Sequence, residues 1–292
     1  MKLGAVQRRR WGLRGFYSRF YLVIFTAAVI LSVAGLGTLM TVVLIDGLPY
    51  LDWQLLTSYD SSRPERAGIL ASLVGTLYVV GLTALFTAPL GVASAIFLEE
   101  FAPRNRLVNV IQINISNLAG VPSIVYGLLG FAIFVELLLG GQRGVLAGSL
   151  TLMLLVLPIV IITTQESLRA VPPSHRYAAY AMGATKWQVV KTIALPQAIP
   201  GIASGTILAY SRAIGEAAPI FVISSIITIT FLPTALTDRF TVLPLNIFNL
   251  VSRPQEEFSN VASAGIIVLL VMLLMMNAVA IWVRSRTQRV RD

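Results

Sequence analysis

The chain has 292 residues, of which 56% are hydrophobic and 12% charged, and its mean hydropathy is +0.81. Soluble domains carry about 25% charged residues, so this composition excludes an ordinary soluble protein and indicates several membrane spans. The net charge of +9 does not indicate a nucleic-acid partner, because the basic residues sit at the ends of apolar runs, where membrane topology places them. With no cysteine and a single histidine, we expect neither disulfides nor a metal site.

Uncharged runs of membrane length divide the chain. A basic tail, residues 1–19, precedes a run at 20–45 that is too long for the apolar region of a signal peptide, so we expect a retained first span. Further spans are predicted at about 67–98, 107–135, 144–165, 200–226 and 261–283. The sequence therefore predicts an all-α membrane protein with six crossings.

The third run differs from the others in kind. It carries polar side chains at membrane depth, among them Asn117 and Ser123, and the helix-weakening residues Gly120 and Pro122 lie between these two. Lipid cannot satisfy such groups, so they must face protein or a water-lined cavity. Hydrogen bonding between neighbouring helices is the alternative to a role in the translocation path.

The count of six crossings depends on residues 192–237, where Arg212 and Glu216 interrupt an apolar stretch. A single crossing there places both termini and the loop at 166–199 on one side, and that side then holds most of the lysines and arginines. Two crossings would put the C-terminal arginines outside, against the tendency of basic residues to stay inside. We therefore expect both termini in the cytoplasm.

The loop at 166–199 is polar and amphipathic. Prolines at 172 and 173 end the preceding helix, and Ser174 is a good N-cap for a short new one. Ala178 and Met182 fall on one face of that helix, and so do Ala179 and Gly183, where small residues let another surface approach closely. We expect Gly183 to turn the chain and the prolines at 196 and 200 to mark re-entry into the bilayer.

This loop resembles the EAA motif of ABC-importer permeases. The pattern Ala-Ala-x3-Gly-x9-Ile-x-Leu-Pro runs from 178 to 196 with the motif's spacing, and Tyr177 stands where the motif has glutamate. The resemblance implies a coupling helix that docks into a groove of a cytoplasmic ATPase. The implied contact residues are Ser174, Arg176, Ala178, Ala179, Met182, Gly183 and Ala184. A short helix at the membrane surface is the alternative.

Further motifs resemble the phosphate-importer permeases, and the ending Gly-Glu-Ala-Ala-Pro at 215–219 is closer to the PstA-type subunit than to its PstC-type partner. The resemblance implies a type I importer fold with a permease core at 67–284 that forms half of a pore in the bacterial inner membrane. The implied partners are a PstC-type second permease, a PstB-type ATP-binding dimer, a PstS-type extracytoplasmic binding protein and phosphate.

Arg212 and Glu216 are the predicted substrate residues, with Asn117 and Ser123 as further candidates. A charge at membrane depth costs at least about 2.5–3.5 kcal/mol, which favours a functional role over a structural ion pair. Arginine suits phosphate because its planar fork donates two parallel hydrogen bonds. Glutamate beside it would keep the anion from binding too tightly.

The chain lacks the phosphate-binding loop G-x-x-x-x-G-K-[ST], so we expect a non-enzymatic subunit without a cofactor, with ATP and Mg²⁺ bound by the partner ATPase. A permease for molybdate or sulfate remains an alternative. A secondary transporter in which Glu216 relays protons is a further one, although it would lack a docking loop.

Overall fold

A computed structural model describes residues 3–224 and 228–289, and all regular structure within them is helical. The first half of the chain forms α1 (Leu3–Gly47), α2 (Trp53–Thr57), α3 (Leu70–Ile96), α4 (Arg106–Leu118), α5 (Ser123–Gly130) and α6 (Val145–Arg169). The second half forms α7 (Pro173–Ala181), α8 (Lys186–Val189), α9 (Leu195–Ile214), α10 (Ala218–Ser224), α11 (Leu243–Val251) and α12 (Glu256–Arg289). Short 3₁₀ turns lie at Leu48–Tyr50 and Pro64–Arg66, and π-helical turns at Phe97–Phe101, Phe131–Leu138 and Val190–Ala194.

Five helical stretches of the described chain are long and apolar enough to cross a membrane. They are Phe20–Tyr50, Leu70–Phe101, Val145–Arg169, Lys186–Ile214 and Glu256–Trp282. A candidate for the sixth crossing is a broken helix, Arg106–Leu118 followed by Ser123–Leu138, whose axis bends by 108° between the two parts. The predicted all-α fold with six crossings is confirmed when this bent pair counts as one span.

The bend in the third span falls on residues that weaken a helix. The sequence predicted one run at 107–135, whereas the chain leaves α4 after Leu118 and starts α5 at Ser123. Pro122 is the N-cap of α5, and a proline favours an extended residue before it, so a straight helix cannot continue through this point. Tyr126 holds the bend by donating its hydroxyl proton to the carbonyl of Leu118 at 2.7 Å.

The fifth span also differs from its predicted limits of 200–226. Its helix begins at Lys186 and ends at Ile214, so the prolines at 196 and 200 lie inside it. Just before Pro196, the N–H of Leu195 bonds the carbonyl of Val190 five residues back. This wider π turn opens the helix by one residue and relieves the clash that a proline ring makes in a regular α-helix. Residues 225 and 226 of the predicted span lie outside the described chain.

Helix α6 is the centre of the bundle and packs against both α3 and α9. Its contact with α9 is close because Gly201 lies against Ser167 and Gly205 lies against Thr163, where an added Cβ would come within 2.6 Å of the facing side chain. Glycines spaced by four residues give two membrane helices this close approach. In the most apolar 18-residue stretch of α6, 61% of the residues are buried, which fits its central place.

The loop end of the bundle is the end that carries α7 and α8; the opposite end carries residues 48–69 and α11. At the opposite end, Arg253 donates to Asp60 at 2.6 Å and fastens the segment before α3 to the start of α12. The pKa of Asp238 lies below its ordinary value because its carboxylate accepts the N–H of Ala235 and the N–H and hydroxyl of Thr234. This turn therefore gains stability at neutral pH and loses it only as acid protonates Asp238.

Candidate functional site

Helix α7 begins at Pro173, two residues earlier than an N-cap at Ser174 predicted. Its N-cap is Pro172, and Pro173 and Ser174 occupy the first turn, so the expectation that Ser174 caps this helix is corrected. Proline suits the first helical position because its missing N–H would have no partner there and its fixed φ matches the helix. The preceding helix ends at Arg169, before the two prolines.

Gly183 turns the chain between α7 and α8, as its position after the helix predicted. Its φ is +83°, a conformation that residues with a Cβ rarely adopt. The N–H of Gly183 donates to Tyr180 and the N–H of Ala184 donates to Ala179, at 2.9 and 3.1 Å. Thr185 and Gln188 then form a capping box that starts the next helix. The two helices are thus joined by a hydrogen-bonded turn.

Large apolar side chains are exposed on α7 and at the start of α8. Tyr177, Tyr180 and Trp187 are exposed, and Met182 is 89% exposed. Ala178 and Gly183 are exposed beside them, whereas Ala179 and Ala184 are half-buried. Together, Tyr177, Ala178, Tyr180, Met182 and Gly183 form a small apolar surface at the loop end, and we call it the α7 surface.

Arg176 does not belong to the α7 surface, although the sequence grouped it with the contact residues. Its Nη1 lies 2.5 Å from Oε1 of Glu100, and its Nη2 donates to the carbonyl of Leu168 at 2.7 Å. Its side chain is 20% exposed and that of Glu100 is 7% exposed. The guanidinium therefore points into the protein and binds both the π-helical turn that follows α3 and the last turn of α6.

Three more contacts hold this loop to the bundle, and sequence reasoning missed all of them. His175 Nδ1 lies 3.0 Å from Oε1 of Gln197 on α9. The ring of Phe101, at the end of the second span, lies 6.2 Å from that of Trp187 and 5.4 Å from the ammonium of Lys186. The sequence offered one signal: Glu99, Glu100 and Phe101 directly follow an apolar run, where they could meet the basic residues of the loop at 166–199.

Arg212 and Glu216 lie at a break between helices and not in the middle of a span. Arg212 is in the last turn of α9, Glu216 follows the helix end at Gly215, and α10 begins at Ala218. Arg212 Nε is 3.5 Å from Glu216 Oε1, and the two side chains are 57% and 18% exposed. A cation is favoured at a helix C-terminus, so the backbone and the carboxylate both stabilise the guanidinium. Its exposure leaves donors free for a ligand.

The helix that follows the break at 119–122 contacts the helix that follows the break at 215–217. An added Cβ on Gly127 of α5 would come within 2.8 Å of the backbone of Pro219, so α5 packs directly on the start of α10. The candidates Asn117 and Ser123 lie on either side of the other break, in the last turn of α4 and at the start of α5. Among the described hydrogen bonds, none joins either residue to Arg212 or Glu216.

A polar contact beside Arg212 was not predicted. Ser211 Oγ lies 2.9 Å from Oδ1 of Asn277, which joins the last turn of α9 to the middle of α12. Two polar residues inside separate apolar runs gave no sign that they meet. The contact therefore ties α9 to α12 one residue before Arg212.

Comparisons with known proteins agree over most of the chain. A family model described as a binding-protein-dependent transport system inner membrane component matches residues 88–291. The chain is 32% identical over 272 residues to the probable ABC transporter permease protein YqgI of Bacillus subtilis, covering 88% of this chain and 90% of that protein. It is 31% identical over 277 residues to the phosphate transport system permease protein PstA of Yersinia pestis, covering 94% and 92%.

Solved structures share the fold at low sequence identity. A chain of a bacterial alginate ABC transporter crystallised with its periplasmic protein has a TM-score of 0.66 at 16% identity, with 96% of both chains covered. A chain of the MetNI methionine ABC transporter in an inward-facing conformation has a TM-score of 0.63 at 15% identity, with 75% of this chain and 95% of that chain covered.

Proposed function

Because the chain belongs to the family of binding-protein-dependent transport system inner membrane components, we propose that it is the permease subunit of an ATP-driven importer of inorganic phosphate. Phosphate is proposed as the substrate because the chain is similar to a phosphate transport system permease along nearly the whole length of both chains. The subunit is a multi-pass protein of the inner membrane and is not itself an enzyme.

Phosphate would pass the exposed guanidinium of Arg212. Arginine stays charged at all relevant pH values and offers a planar pair of donors to an oxyanion. Glu216 would orient that group and limit how tightly the anion is held, because a transported ion must leave its site as readily as it enters. The position of Arg212 and Glu216 at the break between α9 and α10 supports this role. Non-helical backbone within a membrane is tolerated only where it is buried in protein or lines a water-filled cavity. Asn117 and Ser123, at the other break, are proposed as further polar groups of the path.

The α7 surface would dock on the ATPase. It consists of exposed apolar and small side chains that water solvates poorly, and it stands at the loop end, which we place in the cytoplasm together with both termini. Ala178, Met182 and Gly183 would enter the ATPase groove directly, with Ala179, Ala184 and Ser174 at its margin. ATP and Mg²⁺ would bind the ATPase, and this chain would carry no cofactor.

The complete importer would contain three kinds of partner. An ATP-binding dimer and an extracytoplasmic binding protein belong to importers of this family, and the specific forms proposed are a PstB-type dimer and a PstS-type phosphate-binding protein. A PstC-type second permease would supply the other half of the pore. The proposal requires that Arg212 face this second half, which agrees with its exposure in the single chain.

Transport by the purified assembly tests the proposal. The chain would be co-expressed with the three partners, reconstituted into liposomes and supplied with ATP and labelled phosphate. We expect ATP-dependent uptake that excess unlabelled phosphate abolishes and that sulfate or molybdate leaves unchanged. If unlabelled molybdate or sulfate suppresses the uptake as strongly as unlabelled phosphate does, the substrate would be another oxyanion. Uptake driven by a proton gradient without the ATPase would refute the importer.

A further inference from the structure

Two neighbouring acidic residues end the second span, and each meets an arginine from a different element. Glu100 pairs with Arg176 of α7 at 2.5 Å, and the two side chains are 7% and 20% exposed. Glu99 pairs with Arg169 at the end of α6 at 2.6 Å, where the arginine is 56% exposed. The same type of ion pair is thus present twice, once with a buried carboxylate and once with an arginine that solvent reaches.

The buried pair joins three elements through one guanidinium. While Nη1 of Arg176 binds Glu100, Nη2 donates to the carbonyl of Leu168 in the last turn of α6 at 2.7 Å, and Leu168 itself is fully buried. The planar fork fixes both bonds in one geometry, which a single ammonium group does not. Otherwise α7 packs mainly against α8 and the π turn at Val190–Ala194. Arg176 is therefore its main direct link to α3 and α6.

We infer that Arg176 and Glu100 form a joint that transmits a displacement of α7 into the second and fourth spans. The inference rests on the proposed function, because it assumes that a partner ATPase moves α7. A buried ion pair resists separation, since parting its members leaves each charge uncompensated in a site that water reaches poorly. The pair therefore moves as one unit. Both residues are positioning residues for transport and make no contact with phosphate or the ATPase.

The test measures coupling in the reconstituted complex, as phosphate taken up per ATP hydrolysed in the same liposomes. Removing one member of a buried pair leaves the other uncompensated, so we expect Arg176→Gln to lower this ratio by about tenfold or more. Glu100→Gln should lower it less, because the arginine left behind is partly exposed and keeps Leu168 as a partner. The double variant Glu100→Gln/Arg176→Gln should recover part of the loss of Arg176→Gln, since no charge remains buried.

Glu99→Gln is the matched control. It changes the same type of residue one position away, but its partner Arg169 is 56% exposed, so solvent can replace the lost contact and the ratio should stay within about twofold of the wild type. If Arg176→Gln and Glu100→Gln reduce only the amount of complex and keep the wild-type ratio in the complexes that form, the pair is purely structural and the joint is refuted. If the wild-type complex hydrolyses ATP and takes up no phosphate, the proposed function fails instead.

Discussion

Replacing Arg212 with glutamine should slow transport strongly while leaving the protein stable. At the observed 3.5 Å separation of Arg212 Nε and Glu216 Oε1, two unit charges attract by about 5 kcal/mol at an effective dielectric constant of 20. Solvent screens most of this attraction because the arginine is 57% exposed, and exposed pairs four residues apart on a helix contribute only about 0.3–0.5 kcal/mol. The variant should therefore fold and assemble.

Transport should respond far more strongly than stability. A hydrogen bond to a charged group contributes about 1.5–3 kcal/mol, so losing the guanidinium should slow uptake by about 10- to 100-fold. Glu216, left unpaired, would repel phosphate as well. Arg212→Lys keeps the charge but loses the planar pair of donors, so its uptake rate should lie between those of the wild type and Arg212→Gln. Glu216→Gln is the matched variant and should be milder if the carboxylate only orients the arginine.

The assay is the initial rate of labelled phosphate uptake in liposomes, divided by the amount of assembled complex. That division separates a lost substrate contact from a lost protein. Uptake per complex at the wild-type level with Arg212→Gln would show that the pair only packs helices. A decrease that follows the amount of complex alone would lead to the same conclusion, and the proposed substrate role would be withdrawn.

Three further predictions concern docking, topology and packing. Met182→Asp places a charge on the α7 surface without disturbing the fold, so the ATPase should no longer co-purify, and co-purification at the wild-type level would contradict the docking role. Reporters inserted at His175 and fused after residue 286 should both report the cytoplasm, and opposite answers would overturn the six crossings. Gly205→Ala should lower the melting temperature of the purified complex by an overpacking cost of about 1–3 kcal/mol, because the new methyl group meets a threonine Cβ that no rotamer moves. Gly201→Ala is its control and should be milder, because it meets a serine hydroxyl that can rotate away.

The lengths of the uncharged runs and the placement of the basic residues predicted the membrane fold, because lipid excludes charged side chains and each crossing therefore leaves an uncharged run in the sequence. The same information placed the limits of the fifth span wrongly. Prolines at 196 and 200 indicated a helix start, but the π turn before them lets the helix continue from Lys186. A single backbone adjustment of this kind depends on packing around the helix, which the sequence of one segment does not contain.

The candidate site shows the same division between local and distant information. Gly183 was predicted to turn the chain, and its left-handed conformation agrees, because that requirement is local. The inward direction of Arg176 was not predicted, because its partner Glu100 lies 76 residues away and is reached only when α3 and α7 meet in space. Motif spacing identifies which residues form a loop, but tertiary contacts decide which of them face outward.

The pairing of the first helix with the last also sets the order in which the subunit can be completed. Gly47 at the end of α1 lies against the backbone of Ser263 and Ala264 in α12, yet only 6% of the most apolar window of the first span is buried. The middle spans pack on α6 and can gather as they leave the ribosome. The first span remains surrounded by lipid until α12 has been synthesised and can pack against it. A chain interrupted before α12 therefore keeps an unpaired helix at its N-terminal end, and that exposed helix distinguishes an unfinished subunit from a complete one.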